Sequence, residues 1–111
     1  MNILNPTTPY ASSKASIDLI IQSYIKTFNF PAIIVRPNNI YGNNQYIEKL
    51  IPKFITLLLD DKKVTIHNIG DNKRSFLYID DLINAIDIIL SNDSCIGQIY
   101  NIGSEYEYSV L

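Results

Sequence analysis

The 111-residue sequence has no tryptophan, a single cysteine and only four glycines. One cysteine, Cys95, cannot form an intramolecular disulfide, and it leaves a thiolate zinc site without a set of ligands. A lone cysteine of this kind is usually a small buried apolar residue. We therefore expect neither a disulfide nor a metal site.

Long apolar runs and basic clusters are also absent from the sequence. No apolar run reaches the roughly 18 to 20 residues that span a bilayer, and the N-terminus does not have the order of a signal peptide. The net charge of -2 comes from acids and bases mixed along the chain, with no basic block to neutralise a run of phosphates. We therefore expect a soluble, cytoplasmic protein that binds neither membranes nor nucleic acid.

Apolar periodicity predicts the elements of the first half. Residues 10–28 contain neither glycine nor proline, and apolar residues recur at steps of three and four, which predicts a helix. Residues 32–35 form a short, β-branched apolar run between prolines, which is typical of a buried parallel strand. Residues 38–45 are rich in Asn and Gly and predict a loop.

The second half repeats the alternation of helix and strand. A helical pattern covers residues 47–59, and another begins at Asp80, where acids suit a helix N-terminus. Strands are predicted at residues 64–67, 75–79 and 98–102. Strands separated by helices of this length indicate an α/β layered fold.

Tyr10 and Lys14 stand four residues apart at the start of the first predicted helix, so both side chains lie on one face. An ammonium near a phenol favours the phenolate, which is the form that accepts a proton. Oxidation of a sugar alcohol by hydride transfer requires such an acceptor. The same spacing also occurs by chance on ordinary helix surfaces.

Five segments, taken in order, resemble the extended short-chain dehydrogenase/reductase family, which contains NAD-dependent nucleotide-sugar epimerases and dehydratases. The first is similar to the family's Pro-Tyr-x-x-(Ser/Thr)-Lys helix, and the second to its Arg-x-x-Asn-(Val/Ile)-Tyr-Gly segment. The five segments are residues 6–15, 36–42, 48–54, 74–81 and 100–103. The resemblance implies the C-terminal half of an incomplete Rossmann-like α/β fold, as one truncated domain. Residues 1–40 would end the Rossmann part, and residues 41–111 would form the substrate-binding part.

The Glu-Lys-Leu-Ile-Pro run at residues 48–52 is more similar to the nucleotide-sugar 4,6-dehydratases than to the 4-epimerases. Within the dehydratases, Ile66-His67 and Arg74-Ser75 are more similar to the UDP-glucose enzymes than to the dTDP-glucose enzymes. Two alternatives stay open: a fragment of a 4-epimerase, and a non-catalytic remnant that binds UDP-sugars or dimerises.

The resemblance also implies roles for single residues. Tyr10 would be the base at the sugar 4-hydroxyl, Lys14 would bind the nicotinamide ribose of NAD, and Ile40 would contact the cofactor. The implied nucleotide-sugar contacts are Asn39, Lys49, Leu50, Thr65, Ile66, His67, Arg74 and Asn101. Arg74 suits a diphosphate because a guanidinium forms bidentate, charge-assisted hydrogen bonds. Each of these side chains could instead have a purely structural role; Leu50 and Ile66, for example, could be core residues.

The family's glycine-rich loop, which holds the NAD pyrophosphate at a helix N-terminus, has no counterpart among the 111 residues. The resemblance places the family's dehydration acids before residue 1 as well. We therefore expect the chain to be inactive by itself and marginally stable or self-associating, with strand edges and a helix face left without partners. The implied partners are a second copy, an intact homologue, or a separate upstream half.

Overall fold

A computed structural model describes residues 5–65, 73–104 and 107–109. Within these ranges the chain forms three α-helices and five β-strands. The helices are α1 (Pro9–Phe28), α2 (Leu50–Leu59) and α3 (Ile79–Leu90), and the strands are β1 (Ile34–Pro37), β2 (Asn39–Tyr41), β3 (Lys73–Tyr78), β4 (Ile99–Ile102) and β5 (Glu107–Ser109).

Helix α1 confirms the helix predicted at residues 10–28. The Thr8 hydroxyl caps its N-terminus by accepting a hydrogen bond from the Ala11 N–H at 3.1 Å, and Pro9 occupies the first helical position. The helix ends at Asn29, whose φ of 54° is left-handed and cannot continue the helix. Because the helix begins at Pro9, Tyr10 lies in its first turn, at the N-terminal tip of the helix.

Strands β1 and β4 pair in parallel, with Ile34 opposite Ile99 and Arg36 opposite Asn101. The strand predicted at residues 32–35 is displaced, because the Ala32 carbonyl accepts a bond from Gly97 N–H in the loop before β4, and the ladder begins only at Ile34. The strands predicted at residues 32–35 and 98–102 thus pair with each other, and each has one outer edge without a paired strand among the described residues.

A second sheet has the order β2-β3-β5, with β2 parallel to β3 and β5 antiparallel to it. The prediction of a loop over residues 38–45 is wrong for Asn39–Tyr41. These three residues form β2, which pairs with the end of β3 despite its Asn- and Gly-rich surroundings. Strand β5 was not predicted. A strand was also predicted at residues 64–67. Val64 and Thr65 do not belong to a strand, and the other two residues lie outside the described ranges.

Helices α2 and α3 follow their predicted positions with small shifts. Helix α2 begins at Leu50 and not at residue 47, because the preceding residues form a turn in which Lys49 N–H bonds to the Tyr46 carbonyl. Helix α3 carries Asp80 and Asp81 in its first turn, where the helix dipole favours negative charge. None of the helices within the described ranges is long and apolar enough to cross a membrane.

The buried core of the described residues is small. Only four hydrophobic residues in these ranges are buried, and they are Ile34, Leu77, Leu82 and Cys95. The prediction that Cys95 is a small buried residue is confirmed. The radius of gyration is 17.3 Å, compared with about 13 Å for a compact domain of this length. The fold is therefore less compact than a typical domain of this length, and much of its apolar surface faces solvent.

Candidate functional site

One cavity, of about 490 Å³, lies where the tip of α1, strands β2 and β3 and the start of α2 meet. This volume is within the range of small-molecule sites. Six of the residues predicted from the sequence line this cavity, which we call the α1–β3 cavity: Tyr10, Asn39, Ile40, Lys49, Leu50 and Arg74. Residues separated by more than sixty positions along the chain therefore come together around one space.

Tyr10 and Lys14 lie on the same face of α1, one turn apart. Tyr10 lines the α1–β3 cavity and is 75% exposed, so its hydroxyl is accessible to a ligand. Lys14 is also exposed, and it lies beyond the cavity wall. The pair thus places a phenol hydroxyl at the cavity with an ammonium one helical turn away.

The other predicted contacts are not gathered at this cavity. Thr65 is exposed after α2, and Asn101 lies in β4 opposite Arg36, and neither lines the cavity. Ile66 and His67 lie outside the described residues.

Some lining residues were missed by sequence reasoning. Gln45 donates a hydrogen bond from Nε2 to the Ile40 carbonyl at 2.7 Å and so closes the loop that follows β2. Asn38 joins β1 to β2, and its N–H donates to the Ile102 carbonyl at 2.9 Å. Its side chain packs so closely against Gly103 that a Cβ there would collide with the Asn38 amide. The sequence signal that could have identified Asn38 is a polar residue immediately after a buried strand. That signal does not indicate the direction in which the side chain points.

The charge of the α1–β3 cavity differs from that of the whole chain. Lys49 and Arg74 line it, and none of its described lining residues is acidic, although the chain carries a net charge of -2. A concave wall with two cations and no anion attracts and holds a phosphate or diphosphate. Asn39 adds an amide that can donate to or accept from a polar ligand.

An ion pair ties α1 to β1. Arg36 donates two hydrogen bonds to Asp18, from Nε to Oδ2 at 2.7 Å and from Nη2 to Oδ1 at 2.9 Å. Gln22 donates a third, from Nε2 to Oδ1 at 2.6 Å. The hydrogen bond from Arg36 holds the pKa of Asp18 below its usual range, although burial opposes that shift, and the same bond raises the pKa of Arg36.

This pair should make stability depend on pH. Because the pKa of Asp18 is lower in the folded chain than its value of about 3.9 in an unfolded one, the stabilisation is present above that value and is lost as the pH falls through the folded pKa. We expect Asp18→Asn to lower the free energy of unfolding by about 1 to 2 kcal/mol at pH 7 and by nothing below the folded pKa. Urea unfolding at a series of pH values measures the difference. The control is Asp87→Asn, which removes an exposed acid of α3, and an equal loss in that variant would contradict the prediction.

A model of the NAD dependent epimerase/dehydratase family matches residues 1–103 of the chain. The chain belongs to this family. The match confirms the resemblance that the five sequence segments indicated, and it confirms the Rossmann-like α/β fold class of this epimerase/dehydratase chain.

Two relatives in this family are named for a glucose 4,6-dehydratase activity. The chain is 57% identical over 110 residues to a dTDP-D-glucose 4,6-dehydratase of Dictyostelium discoideum, a match that covers 99% of the chain and 25% of that protein. It is 41% identical over 108 residues to a trifunctional UDP-glucose 4,6-dehydratase/UDP-4-keto-6-deoxy-D-glucose 3,5-epimerase/UDP-4-keto-L-rhamnose-reductase of Arabidopsis thaliana, covering 97% of the chain and 16% of that protein.

A solved relative shares the architecture. The dTDP-glucose 4,6-dehydratase of Bacillus anthracis, solved in complex with NAD, superposes with a TM-score of 0.92 at 42% identity, covering 97% of this chain and 34% of that one. The chain therefore spans about a third of the solved relative and about a quarter of the Dictyostelium relative.

The residues of this chain fit only one end of the family's NAD. Tyr10 and Lys14 suit the nicotinamide ribose because a hydroxyl and an ammonium share one helix face, and Ile40 adds an apolar side chain to the cavity that Tyr10 lines. The pyrophosphate end has no such fit, since Gly42, Gly70, Gly97 and Gly103 are scattered along the sequence. Helices α1, α2 and α3 instead start after Thr8, Lys49 and Tyr78, so none of these N-termini follows a glycine-rich loop.

Proposed function

We propose that this chain carries the proton-accepting and substrate-binding side of an NAD-dependent nucleotide-sugar 4,6-dehydratase that acts on dTDP-glucose or UDP-glucose. The observation that carries the proposal is the α1–β3 cavity, which Tyr10, Lys49 and Arg74 line together. Relatives named for both substrates support it. A tyrosine hydroxyl and two cations around one cavity match a ligand that has both an oxidisable alcohol and a diphosphate.

Tyr10 is the general base in this proposal. Its Oη takes the proton of the sugar 4-hydroxyl while carbon 4 is oxidised, and Lys14, one turn along α1, binds the nicotinamide ribose. NAD, held at its nicotinamide ribose by Lys14, would supply the hydride acceptor for oxidation at carbon 4 and the hydride donor for reduction at carbon 6, where water is lost across carbons 5 and 6. Ile40 is an apolar lining residue of the same cavity and is the proposed contact to the cofactor.

Arg74 and Lys49 bind the diphosphate in this proposal. The planar guanidinium of Arg74 forms paired hydrogen bonds to phosphate oxygens, and Lys49 adds a second positive charge from the turn before α2. Asn39 and Leu50 complete the substrate wall. Thr65, Ile66, His67 and Asn101 remain proposed contacts to the nucleotide.

By itself the chain is proposed to bind a nucleotide sugar without turning it over. The 111 residues contain no glycine-rich loop, so NAD has no cradle for its pyrophosphate here. The glycine-rich half that the proposed reaction needs lies outside these 111 residues, and the proposed partners are such a half, an intact homologue or a second copy of the chain. The exposed apolar side chains of α1, such as Ile17 and Ile20, support pairing with either.

Ligand-observed NMR of the purified chain tests the binding part of this proposal. We expect saturation transfer to dTDP-glucose or UDP-glucose, and we expect Arg74→Ala to weaken that binding by about tenfold to a hundredfold, because hydrogen bonds to a charged group are lost. The matched control is Lys73→Ala, which removes an exposed cation from the neighbouring position of β3 outside the cavity lining. No transfer from either sugar to a folded sample, or equal weakening in both variants, would contradict the proposal.

A further inference from the structure

Helix α1 is held to the rest of the chain by little apolar burial. None of its twenty residues is buried, and only one side, including Ile21 and Ile25, is even half-buried. Apolar contact of this kind is non-directional, so it leaves the helix free to rotate or slide on the sheet. A directional contact is needed to set where the tip of the helix points.

The Asp18–Arg36 ion pair is that directional contact. Two ion pairs occur among the described residues, and the other, Lys62 with Asp60, joins neighbours in one turn. Asp18 and Arg36 stand 18 residues apart and join α1 to β1 through two hydrogen bonds at once. A planar guanidinium paired with a planar carboxylate fixes orientation as well as distance. The side chain of Asp18 is only 13% exposed, so solvent competes weakly for these bonds.

Asp18 lies on the same helix as Tyr10 and Lys14, the two residues proposed to act in the reaction. Tyr10, Lys14 and Asp18 follow one another at steps of four, so they share one face of α1. On the other side, Asn38 follows Arg36 by two residues and begins the wall of the α1–β3 cavity. A bond between Asp18 and Arg36 therefore connects the helix that carries Tyr10 to the strand that leads into the wall that Tyr10 faces.

We infer that Asp18 is a positioning residue, whose bidentate bond to Arg36 sets the rotation of α1 and holds the Tyr10 hydroxyl at the α1–β3 cavity. The inference rests on the function proposed for that cavity. Gln22 supports Asp18 from one turn further along the helix, donating to the oxygen that also receives Arg36 Nη2. Loss of the carboxylate removes this orientation even where the helix itself stays folded.

Distances between two spin labels test the inference without any ligand. The labels are attached to two introduced cysteines. Ser13→Cys places one at an exposed position of α1 near Tyr10, and Lys53→Cys places the other at an exposed position of α2, one turn beyond Lys49. The native Cys95 is buried. As a control, the unsubstituted chain is treated with the label to show whether Cys95 reacts with it. Electron paramagnetic resonance then gives the distribution of distances between helix tip and cavity wall.

We expect Asp18→Asn to broaden this distribution about twofold or to shift its mean, since only non-directional contacts remain. Asp18→Glu, which keeps the carboxylate, should restore most of the narrow distribution, and Asp87→Asn on α3 should leave it unchanged. Circular dichroism confirms that each variant is helical. An unchanged distribution in Asp18→Asn, or equal broadening in Asp18→Asn and Asp18→Glu, would overturn the inference.

Saturation transfer from dTDP-glucose to the same variants separates the two proposals. If the unsubstituted chain binds no nucleotide sugar while the distances change as expected, the proposed function fails and the positioning of α1 stands. If the sugar binds and the distances do not change, Asp18 has no positioning role and the proposed function stands.

Discussion

Tyr10→Phe should slow formation of the 4-keto-6-deoxy sugar from dTDP-glucose by about 10²- to 10⁴-fold, the usual contribution of a positioned general base. The substitution keeps the aromatic ring at the α1–β3 cavity and removes only the hydroxyl that would accept the proton of the sugar 4-hydroxyl. Binding of the nucleotide sugar should change little, because Arg74 and Lys49 still face the diphosphate.

The assay mixes the chain with NAD and a polypeptide that carries the glycine-rich half of a family relative, and mass spectrometry quantifies the product. Tyr24→Phe is the matched control, because Tyr24 is a half-exposed tyrosine on the same helix that does not line the cavity. Equal rates for Tyr10→Phe and the unsubstituted chain would exclude Tyr10 as the base. No product with the unsubstituted chain would contradict the proposal that it works with a separate cofactor-binding half.

Leu82→Ala should have the largest effect on folding. Leu82 is 6% exposed and belongs to the four buried hydrophobic residues of the described ranges. Helix α3 lies against β3 and the short 3₁₀ turn Asp93–Cys95, and these two elements hold two other buried residues, Leu77 and Cys95. Deleting the side chain of a buried leucine costs about 2 to 5 kcal/mol, which is a large part of the stability of a small domain.

Urea or thermal unfolding followed by circular dichroism measures this loss. The matched control is Ile83→Ala, the next residue of α3, which is 55% exposed. We expect the control to change the free energy of unfolding by less than about 1 kcal/mol. Similar losses in the two variants would mean that the buried cluster around Leu82 does not stabilise the fold.

Local signals predicted the helices well. Helices α1, α2 and α3 appear where apolar residues recur at three- and four-residue steps, and the cap at Thr8 and the acids at the start of α3 also follow from neighbouring residues. Helical hydrogen bonds join residues four apart, so a short window of sequence contains most of what decides them.

Strand positions followed the sequence less closely. Strand β2 lies in an Asn- and Gly-rich stretch that predicts a loop, and it is extended only because β3, more than thirty residues later, pairs with it. Strand β1 begins two residues later than predicted because a turn around Ala32 bonds to Gly97. Both outcomes depend on residues distant in sequence, which no local pattern contains.

The sequence by itself determined the α/β class, the pairing of Tyr10 with Lys14 on one helix face, the absence of a glycine-rich loop and membership of the epimerase/dehydratase family. Each of these is a matter of local spacing or of ordered motifs. Only the tertiary structure decided that β1 pairs with β4, that Asp18 meets Arg36, and that six predicted residues share the α1–β3 cavity while Lys14, Thr65 and Asn101 lie beyond its lining. The physical reason is that a cavity is made by side-chain directions and strand pairings between distant segments, and these are set only when the segments pack together.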